Sequence, residues 1–157
     1  MIYLFASGAT AQTLTLPGMS PTGPDQQEAC TNIPYSQTNC VRVLACVGDA
    51  GVWFDGQARG WDTGPVKGRM SSGETCAGTW RSDGPGGTGL SSLGCSDATR
   101  VDVVYYSQDN DTGTVIGQGI DTKGRHIRVW SGTNVLAYLT EEGQAALPCV
   151  QGDIPVS

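Results

Sequence analysis

Apolar and polar residues alternate with a period of two over several short stretches between residues 40 and 132. The stretches "CVRVLACV", "GVWFDG", "RVDVVYY" and "RHIRVW" are rich in β-branched and aromatic residues, and glycine-bearing turns separate them. The third stretch places Val101, Val103 and Tyr105 on one face, and the fourth places Ile127 and Val129 on one face. This pattern predicts short β-strands joined as antiparallel hairpins.

Helical periodicity is missing over any run of ten or more residues before position 133. Near the end, "TEEGQAALP" predicts one or two helical turns, with Thr140 as N-cap and Pro148 as the stop. The expected fold is therefore all-β, an antiparallel meander of short hairpins or an open barrel, stapled by disulfides and carrying one short C-terminal helix.

A repeat of about 25 residues becomes visible when the turns are aligned. The turns 71–74, 95–98 and 121–124 each follow a glycine-containing strand and each lead into a strand that ends on an aromatic residue. Those aromatic residues are Trp80, Tyr105 or Tyr106, and Trp130. Glycine allows close backbone approach, so we expect rings of one hairpin to pack over glycines of the next.

The stretch "CAGTWRSDGPGGTG" carries a family resemblance. Its Gly78-x-Trp80 pair is followed by Gly87-x-Gly89, and this order resembles the membrane-occupation-and-recognition-nexus (MORN) hairpin repeat. A second copy begins at Tyr106 and keeps three glycines, at positions 113, 117 and 119. The resemblance covers about residues 64–132, and it implies stacked hairpins with a role in protein docking or membrane association.

The N-terminal residues predict export. Residues 1–11, "MIYLFASGATA", combine a short apolar run with the small-x-small pattern of a signal-peptidase site, although no Lys or Arg precedes the run. Residues 12–29 are rich in Pro, Gly and Thr and are interpreted as an extended tail, and residues 30–157 as a single β-rich domain. We expect a secreted or periplasmic protein, of the kind bacteria export.

The six cysteines agree with an oxidising compartment. They stand at positions 30, 40, 46, 76, 95 and 149, and none forms a Cys-x-x-Cys pair, so metal and redox motifs are disfavoured. A strand between Cys40 and Cys46 would span about 20 Å, too far for a disulfide. Among the 15 connectivities that six cysteines allow, we favour three pairs. They are Cys30–Cys40, Cys46–Cys149 and Cys76–Cys95.

Composition narrows the partner class. Glycine accounts for 23 of the 157 residues, about twice its usual share of roughly 7%, as expected for many tight turns. The formal net charge is −6 and Lys and Arg do not cluster, so nucleic acid is disfavoured as a partner. No segment is long enough to predict a transmembrane helix, and nothing points to a cofactor.

Catalytic groups are few. The only histidine, His126, lies between two arginines on a predicted strand without an orienting carboxylate, and no nucleophile elbow is present. Most aspartates sit in turns, where they cap their own backbone. The run 109–113, "DNDTG", lacks the later ligands of a calcium loop and is interpreted as a hairpin turn. We assign no catalytic residue and no metal ligand.

Four tryptophans are the remaining candidates. Exposed Trp rings anchor interfaces or stack on sugars, and buried ones fill a core that has only two Phe. Trp61 lies in a turn-rich context and is expected to be the most exposed, with Trp80 the least. Trp61, Arg59 and Trp53 are the candidate binding residues.

The function expected from these features is a non-catalytic exported module that recognises a protein or an envelope component. One alternative is an enzyme inhibitor, because "GRHIRVWSG" with Cys149 resembles bacterial lysozyme inhibitors. A small hydrolase is the second alternative.

Overall fold

The computed structural model describes residues 29–157, so the predicted signal peptide and residues 12–28 of the predicted tail lie outside the described residues. The described chain begins with eight long strands. They are β1 (Cys40–Val47), β2 (Val52–Arg59), β3 (Thr63–Met70), β4 (Thr75–Arg81), β5 (Gly89–Cys95), β6 (Arg100–Asp109), β7 (Thr114–Asp121) and β8 (His126–Gly132), with a 3₁₀ turn at Pro85–Gly87. Shorter elements follow, namely α1 (Val135–Tyr138), β9 (Thr140–Glu141), β10 (Gln144–Cys149) and β11 (Gly152–Pro155).

The eight long strands form a closed antiparallel barrel. Each strand pairs with the next along the chain, and β1 pairs with β8, with Val43 opposite Ser131. The all-β prediction is confirmed, and the barrel is closed rather than open. Closure satisfies the backbone groups that an open sheet would leave at its two edges. Among residues 29–157, no helix has the length and apolar character needed to cross a bilayer.

Alternation of side chains fills the barrel interior, as the sequence pattern predicts. Val101, Val103, Ile127 and Val129 are buried there, and Tyr105 packs against the same cluster. The cavity left inside is only about 30 Å³, close to the volume of one water molecule. The interior is therefore a packed core.

Aromatic rings cover glycines in this core. A Cβ at Gly68 on β3 would lie 2.3 Å from the Phe54 ring of β2, and one at Gly117 on β7 would lie 2.9 Å from the Tyr105 ring of β6. These contacts show why glycine stands at both positions. The expected packing of rings over glycines of a neighbouring hairpin is confirmed.

The repeated turns share one hydrogen-bond arrangement at one end of the barrel. The amide of Ser71 donates to Trp53 O (2.7 Å), while the Ser71 hydroxyl accepts from Trp53 N (3.0 Å). Ser96 does the same with Thr75, at 2.8 and 3.2 Å, and Thr122 with Arg100, at 2.9 and 3.0 Å. We call this end the brace rim; its turns are 48–51, 71–74, 96–99 and 122–125.

The fourth turn of the brace rim has no hydroxyl. Gly48 N donates to His126 O at 2.8 Å, in the place where the other turns use Ser or Thr. Glycine cannot accept the reciprocal bond. The hydroxyl brace therefore links β2 to β3, β4 to β5 and β6 to β7, but it is missing between β1 and β8. The C-terminal segment covers this β1–β8 pair.

The C-terminal segment forms a second apolar layer outside the barrel. Leu44 and Trp130 point outward from β1 and β8 and are covered by Val135, Leu139 and Leu147. Trp130 is only 2% exposed, so Trp130, and not Trp80 as predicted, is the most buried tryptophan. Trp80 is half-buried at the barrel end. The prediction was wrong because it could not include this covering layer.

The position of the predicted C-terminal helix was also wrong. The helix of this region is α1, Val135–Tyr138, and the "TEEGQAALP" segment forms the β9–β10 hairpin instead. Glu142 and Gly143 connect these two strands with φ values of 50° and 82°. Two consecutive positive φ values form a hairpin turn and end any helix.

All six cysteines lie in the described part of the chain and form three disulfides. The pairs are Cys30–Cys40, Cys46–Cys149 and Cys76–Cys95, the same three that the sequence analysis favours. Cys76 and Cys95 are directly opposite each other on β4 and β5. Three disulfides are typical of proteins from an oxidising compartment.

Candidate functional site

The candidate site lies at the barrel end opposite the brace rim, which we call the aromatic rim. It consists of the turns 60–62, 82–88 and 110–113 and of the segment 31–39 that leads into β1. The rings of Tyr35 and Trp61 meet there with their centroids 4.7 Å apart and their planes tilted by 43°. Tyr35 is 86% exposed and Trp61 is half-buried.

Tyr35 occupies a backbone conformation that glycine favours. The turn is closed by Ser36 N donating to Ile33 O at 3.2 Å, with Pro34 second and Tyr35 third. Tyr35 has φ 63°. A positive φ after proline is the type II pattern, in which glycine is preferred at the third position. A non-glycine residue there costs about 1–2 kcal/mol.

A second strained residue lies beside the same rings. Asp62 follows Trp61 with φ 63°. Of the four non-glycine residues with positive φ among residues 29–157, one supplies a ring of this contact and one follows the other ring in the sequence. Strain of this kind concentrates at binding sites, where the surrounding structure holds it in place.

Hydrogen bonds and a disulfide hold the two segments in register. Asn39 donates from its buried side chain to Gly60 O (3.2 Å), and Gly60 N donates to Asn39 O (2.9 Å). Gln37 Nε2 donates to Trp61 O at 3.1 Å. The Cys30–Cys40 disulfide closes the loop that carries Tyr35. The rings thus project from a braced surface.

Arg59 lies at the end of β2, next to this surface. Its Nη2 donates to Gln57 Oε1 at 3.2 Å, and its carbonyl accepts from Trp80 Nε1 at 2.7 Å. Trp80 therefore supports the turn that carries Trp61. We define the aromatic rim patch as Tyr35, Gln37, Arg59, Trp61 and Asp62.

Trp53, the third candidate binding residue, lies elsewhere. It stands at the other end of β2, six residues from Arg59, and packs against the second apolar layer. Strand geometry separates the two by about 20 Å. Trp61 and Arg59 thus lie at one end of β2 and Trp53 at the other, and a binding role for them stays a prediction. Tyr35 was missed, although the Pro34-Tyr35 pair was a usable turn signal.

Three acidic side chains of the turns accept hydrogen bonds that lower their pKa values. Asp109 accepts from Thr112 N at 2.8 Å, as expected for a plain hairpin turn, and the hydrogen bonds from Thr112 lower the pKa of its carboxyl group. The Lys123 and Thr99 hydrogen bonds likewise lower the pKa of Asp97, and the Ser72 hydroxyl that of Glu74. Burial raises the pKa of the Tyr105 phenol inside the barrel. Within residues 29–157, no three potential metal ligands lie together.

Comparisons with known proteins add little. No family model matches the chain. No curated protein matches it either. Among solved structures, the chain is similar to a redesigned β-barrel, mFAP0, whose structure was determined with DFHBI bound. The two are 15% identical with a TM-score of 0.47, over 61% of this chain and 97% of that chain. The MORN resemblance therefore stays a prediction.

Proposed function

We propose that this protein is a non-catalytic, exported binding module that recognises a protein or another component of the cell envelope through the aromatic rim patch. The observation that carries the proposal is the exposed Tyr35 ring beside Trp61, on a backbone that favours glycine. Nothing in the barrel core requires a tyrosine there, since the ring is 86% exposed. A binding role explains why the chain tolerates the strain.

The chemistry of the patch fits macromolecular recognition. Trp and Tyr offer large, rigid faces at low entropic cost, and interfaces concentrate their binding energy on such residues. Arg59 and Asp62 add one cationic and one anionic residue to the patch, two residues before and one residue after Trp61 in the sequence. This mixture suits a partner surface with an apolar centre and a polar margin.

The absence of catalysis is part of the proposal. His126 begins β8 at the brace rim, and the aromatic rim patch lies at the other end of the strands. The carboxyl pKa values of Glu74, Asp97 and Asp109 are all shifted downward. A general acid at neutral pH needs an upward shift. These groups are better suited to capping turns.

Export is supported by the disulfides. Three cross-links persist in a secreted or periplasmic setting and are rare in a reducing cytosol. The predicted signal segment, residues 1–11, points the same way.

The test is affinity capture from a cell-envelope extract with the oxidised protein immobilised. One component should be retained by the wild type and lost with Trp61→Ala and with Tyr35→Ala. The matched control is Tyr106→Ala, which removes a ring that is 55% exposed on β6, away from the patch. Equal loss with the control would refute the assigned surface. If the retained component is a hydrolase that the protein inhibits stoichiometrically, the inhibitor function applies.

A further inference from the structure

A second candidate site lies at the brace rim, where the C-terminal segment meets the barrel. A cleft of about 300 Å³ opens there, ten times the volume of the cavity inside the barrel. Its walls include Gly48 and Asp49 from the β1–β2 turn and Val150 from the β10–β11 turn. Arg125, His126 and Arg128 also line it, together with Cys46 and Gly124. We call these eight residues the His126 pocket.

The pocket concentrates cationic side chains in an acidic protein. The chain has nine Lys and Arg, one His and a net charge of −6. Two of those arginines and the histidine line the pocket, and Asp49 is the acidic residue that lines it. Basic side chains thus outnumber acidic ones in the pocket lining, the reverse of the chain as a whole.

Arg125 shapes the pocket and does not serve as a ligand-binding group. Its Nε donates to Asp121 Oδ2 at 2.7 Å, and the Asp121 side chain is fully buried. The aliphatic stem of Arg125 packs on Gly48, where an added Cβ would lie 3.3 Å from it. With Arg125 neutralised by Asp121, Arg128 and His126 are the donors that a ligand can reach.

Arg128 is held in place by its neighbours. Its guanidinium carbon lies 5.2 Å from the centroid of the buried Trp130 ring, and Nη1 donates to Pro148 O at 3.2 Å. That is the hydrogen bond its side chain makes within residues 29–157, so further N–H donors remain for a ligand. A guanidinium fixed by stacking is ready for bidentate contact with a carboxylate or a phosphate.

The remaining walls are cross-linked to the barrel. Cys149 precedes Val150 and is joined to Cys46 of β1 by a disulfide. Gly48 N is bound to His126 O at 2.8 Å, which ties the β1–β2 turn to β8. The pocket is therefore preorganised, which lowers the entropic cost of binding.

We propose that the His126 pocket binds a small anion through a carboxylate or phosphate group, with Arg128 and His126 as donors. Asp49 opposes this binding by charge repulsion across the pocket. The site is independent of the aromatic rim patch, because the two lie at opposite ends of the barrel strands.

The test is a titration of ¹⁵N-labelled protein with inorganic phosphate and, separately, with acetate, at constant ionic strength set by chloride. Saturable shifts should appear at the amides of Gly48, Gly124 and Val150. Arg128→Gln should weaken binding at least about tenfold, because a charge-assisted pair is lost. The control Arg69→Gln makes the same charge change on β3 and should stay within about twofold.

Asp49→Asn supplies a test with the opposite sign. Asp49 lies in an exposed turn, and the Asp49→Asn protein should bind the anion several-fold more tightly than wild type. This variant tests the proposal even if Arg128→Gln fails to fold. A response to both anions supports a general anionic-group site, and a response to one alone assigns that group. The proposal is overturned if neither anion saturates, if shifts spread over all Lys and Arg, or if Asp49→Asn weakens binding.

Discussion

Cys46 on β1 and Cys149 at the end of β10 are joined by a disulfide that spans 103 residues of chain. This bridge fastens the C-terminal segment over β1, one of the two strands that close the barrel. The same closure is the one at which Gly48 replaces the Ser or Thr of the other brace-rim turns. A covalent link and a covering layer thus stand where the hydroxyl brace is missing.

The three disulfides should differ in their contribution to stability. Loop-closure entropy predicts losses in the free energy of unfolding of about 4.7 kcal/mol for Cys46–Cys149, about 3.2 for Cys76–Cys95 and about 2.7 for Cys30–Cys40. The order follows their sequence separations of 103, 19 and 10. Urea unfolding of the three paired Cys→Ser variants measures it. A smaller loss for Cys46–Cys149 than for Cys30–Cys40 would contradict the role given to the disulfide that fastens the C-terminal segment to β1.

The hydroxyl brace at Thr122 should be measurable by itself. Thr122→Val keeps the side-chain shape but removes the acceptor of Arg100 N. We expect a loss of about 1 kcal/mol in the free energy of unfolding. Thr122→Ser retains the hydroxyl and is the matched control. If both variants unfold at the same urea concentration as the wild type, the brace contributes nothing.

Two strand glycines should respond oppositely to alanine. A Cβ at Gly78 would lie 1.9 Å from Ser92 O on the neighbouring strand, whereas nothing lies within 4 Å of one at Gly94. Gly78→Ala should therefore lose about 1–3 kcal/mol. Gly94→Ala should leave stability unchanged or raise it slightly, because it restricts the unfolded chain. Thermal unfolding of the two variants compares them directly. Equal effects would show that close strand approach is not what selects glycine at position 78.

Asp97 should make stability depend on acid pH. Its hydrogen bonds with Lys123 Nζ (2.8 Å) and Thr99 N (3.0 Å) lower the pKa of the carboxyl group. The folded pKa lies below the unfolded value of about 3.9, so this stabilisation is present above that value and is lost as pH falls through the folded pKa. Asp97→Asn should therefore be less stable than wild type at pH 7, with the difference shrinking in acid.

The control for Asp97→Asn is Asp111→Asn, in the exposed β6–β7 turn. Urea unfolding at neutral pH and at several values below about pH 4 gives the comparison. A difference between wild type and Asp97→Asn that is the same at every pH would exclude the proposed titration.

Local sequence pattern predicted the barrel strands well. Val101, Val103, Ile127 and Val129 point inward because a strand reverses its side-chain direction at every residue, and one face must be buried. The third residue of three repeated turns, Gly73, Ala98 or Gly124, has a positive φ. Glycine stands at two of these three positions, and this made the repeat recognisable in the sequence. Closure of the barrel is a long-range property, since β1 meets β8 about 85 residues later, and no local pattern encodes it.

The errors arose where tertiary packing outweighs local preference. Trp130 is buried only because Val135 and Leu147 cover the outer face of β8. Thr140 looked like a helix N-cap, but the following Glu142 and Gly143 adopt a hairpin turn. Tyr35 was missed because its candidate binding role depends on the contact with Trp61, 26 residues away, and not on its neighbours in the sequence.

Tyr35→Gly should separate folding from function. Glycine relieves the positive φ but loses the ring contact with Trp61, so the free energy of unfolding should stay within about 1 kcal/mol of wild type. Trp61→Ala retains the strain at Tyr35 and loses the same contact, and it should be the less stable of the two. Urea unfolding of both variants measures the difference. A loss above about 2 kcal/mol for Tyr35→Gly would mean that the ring supports the fold.

In the proposed function, the Tyr35 ring is held in a strained turn because it binds a partner. Its most direct test is the affinity of purified Tyr35→Gly protein for the envelope component that wild-type protein captures, measured by calorimetry beside wild type. We expect the dissociation constant of Tyr35→Gly to be at least about 30-fold higher, as for the loss of an aromatic anchor that is buried in the complex. An unchanged dissociation constant would contradict it.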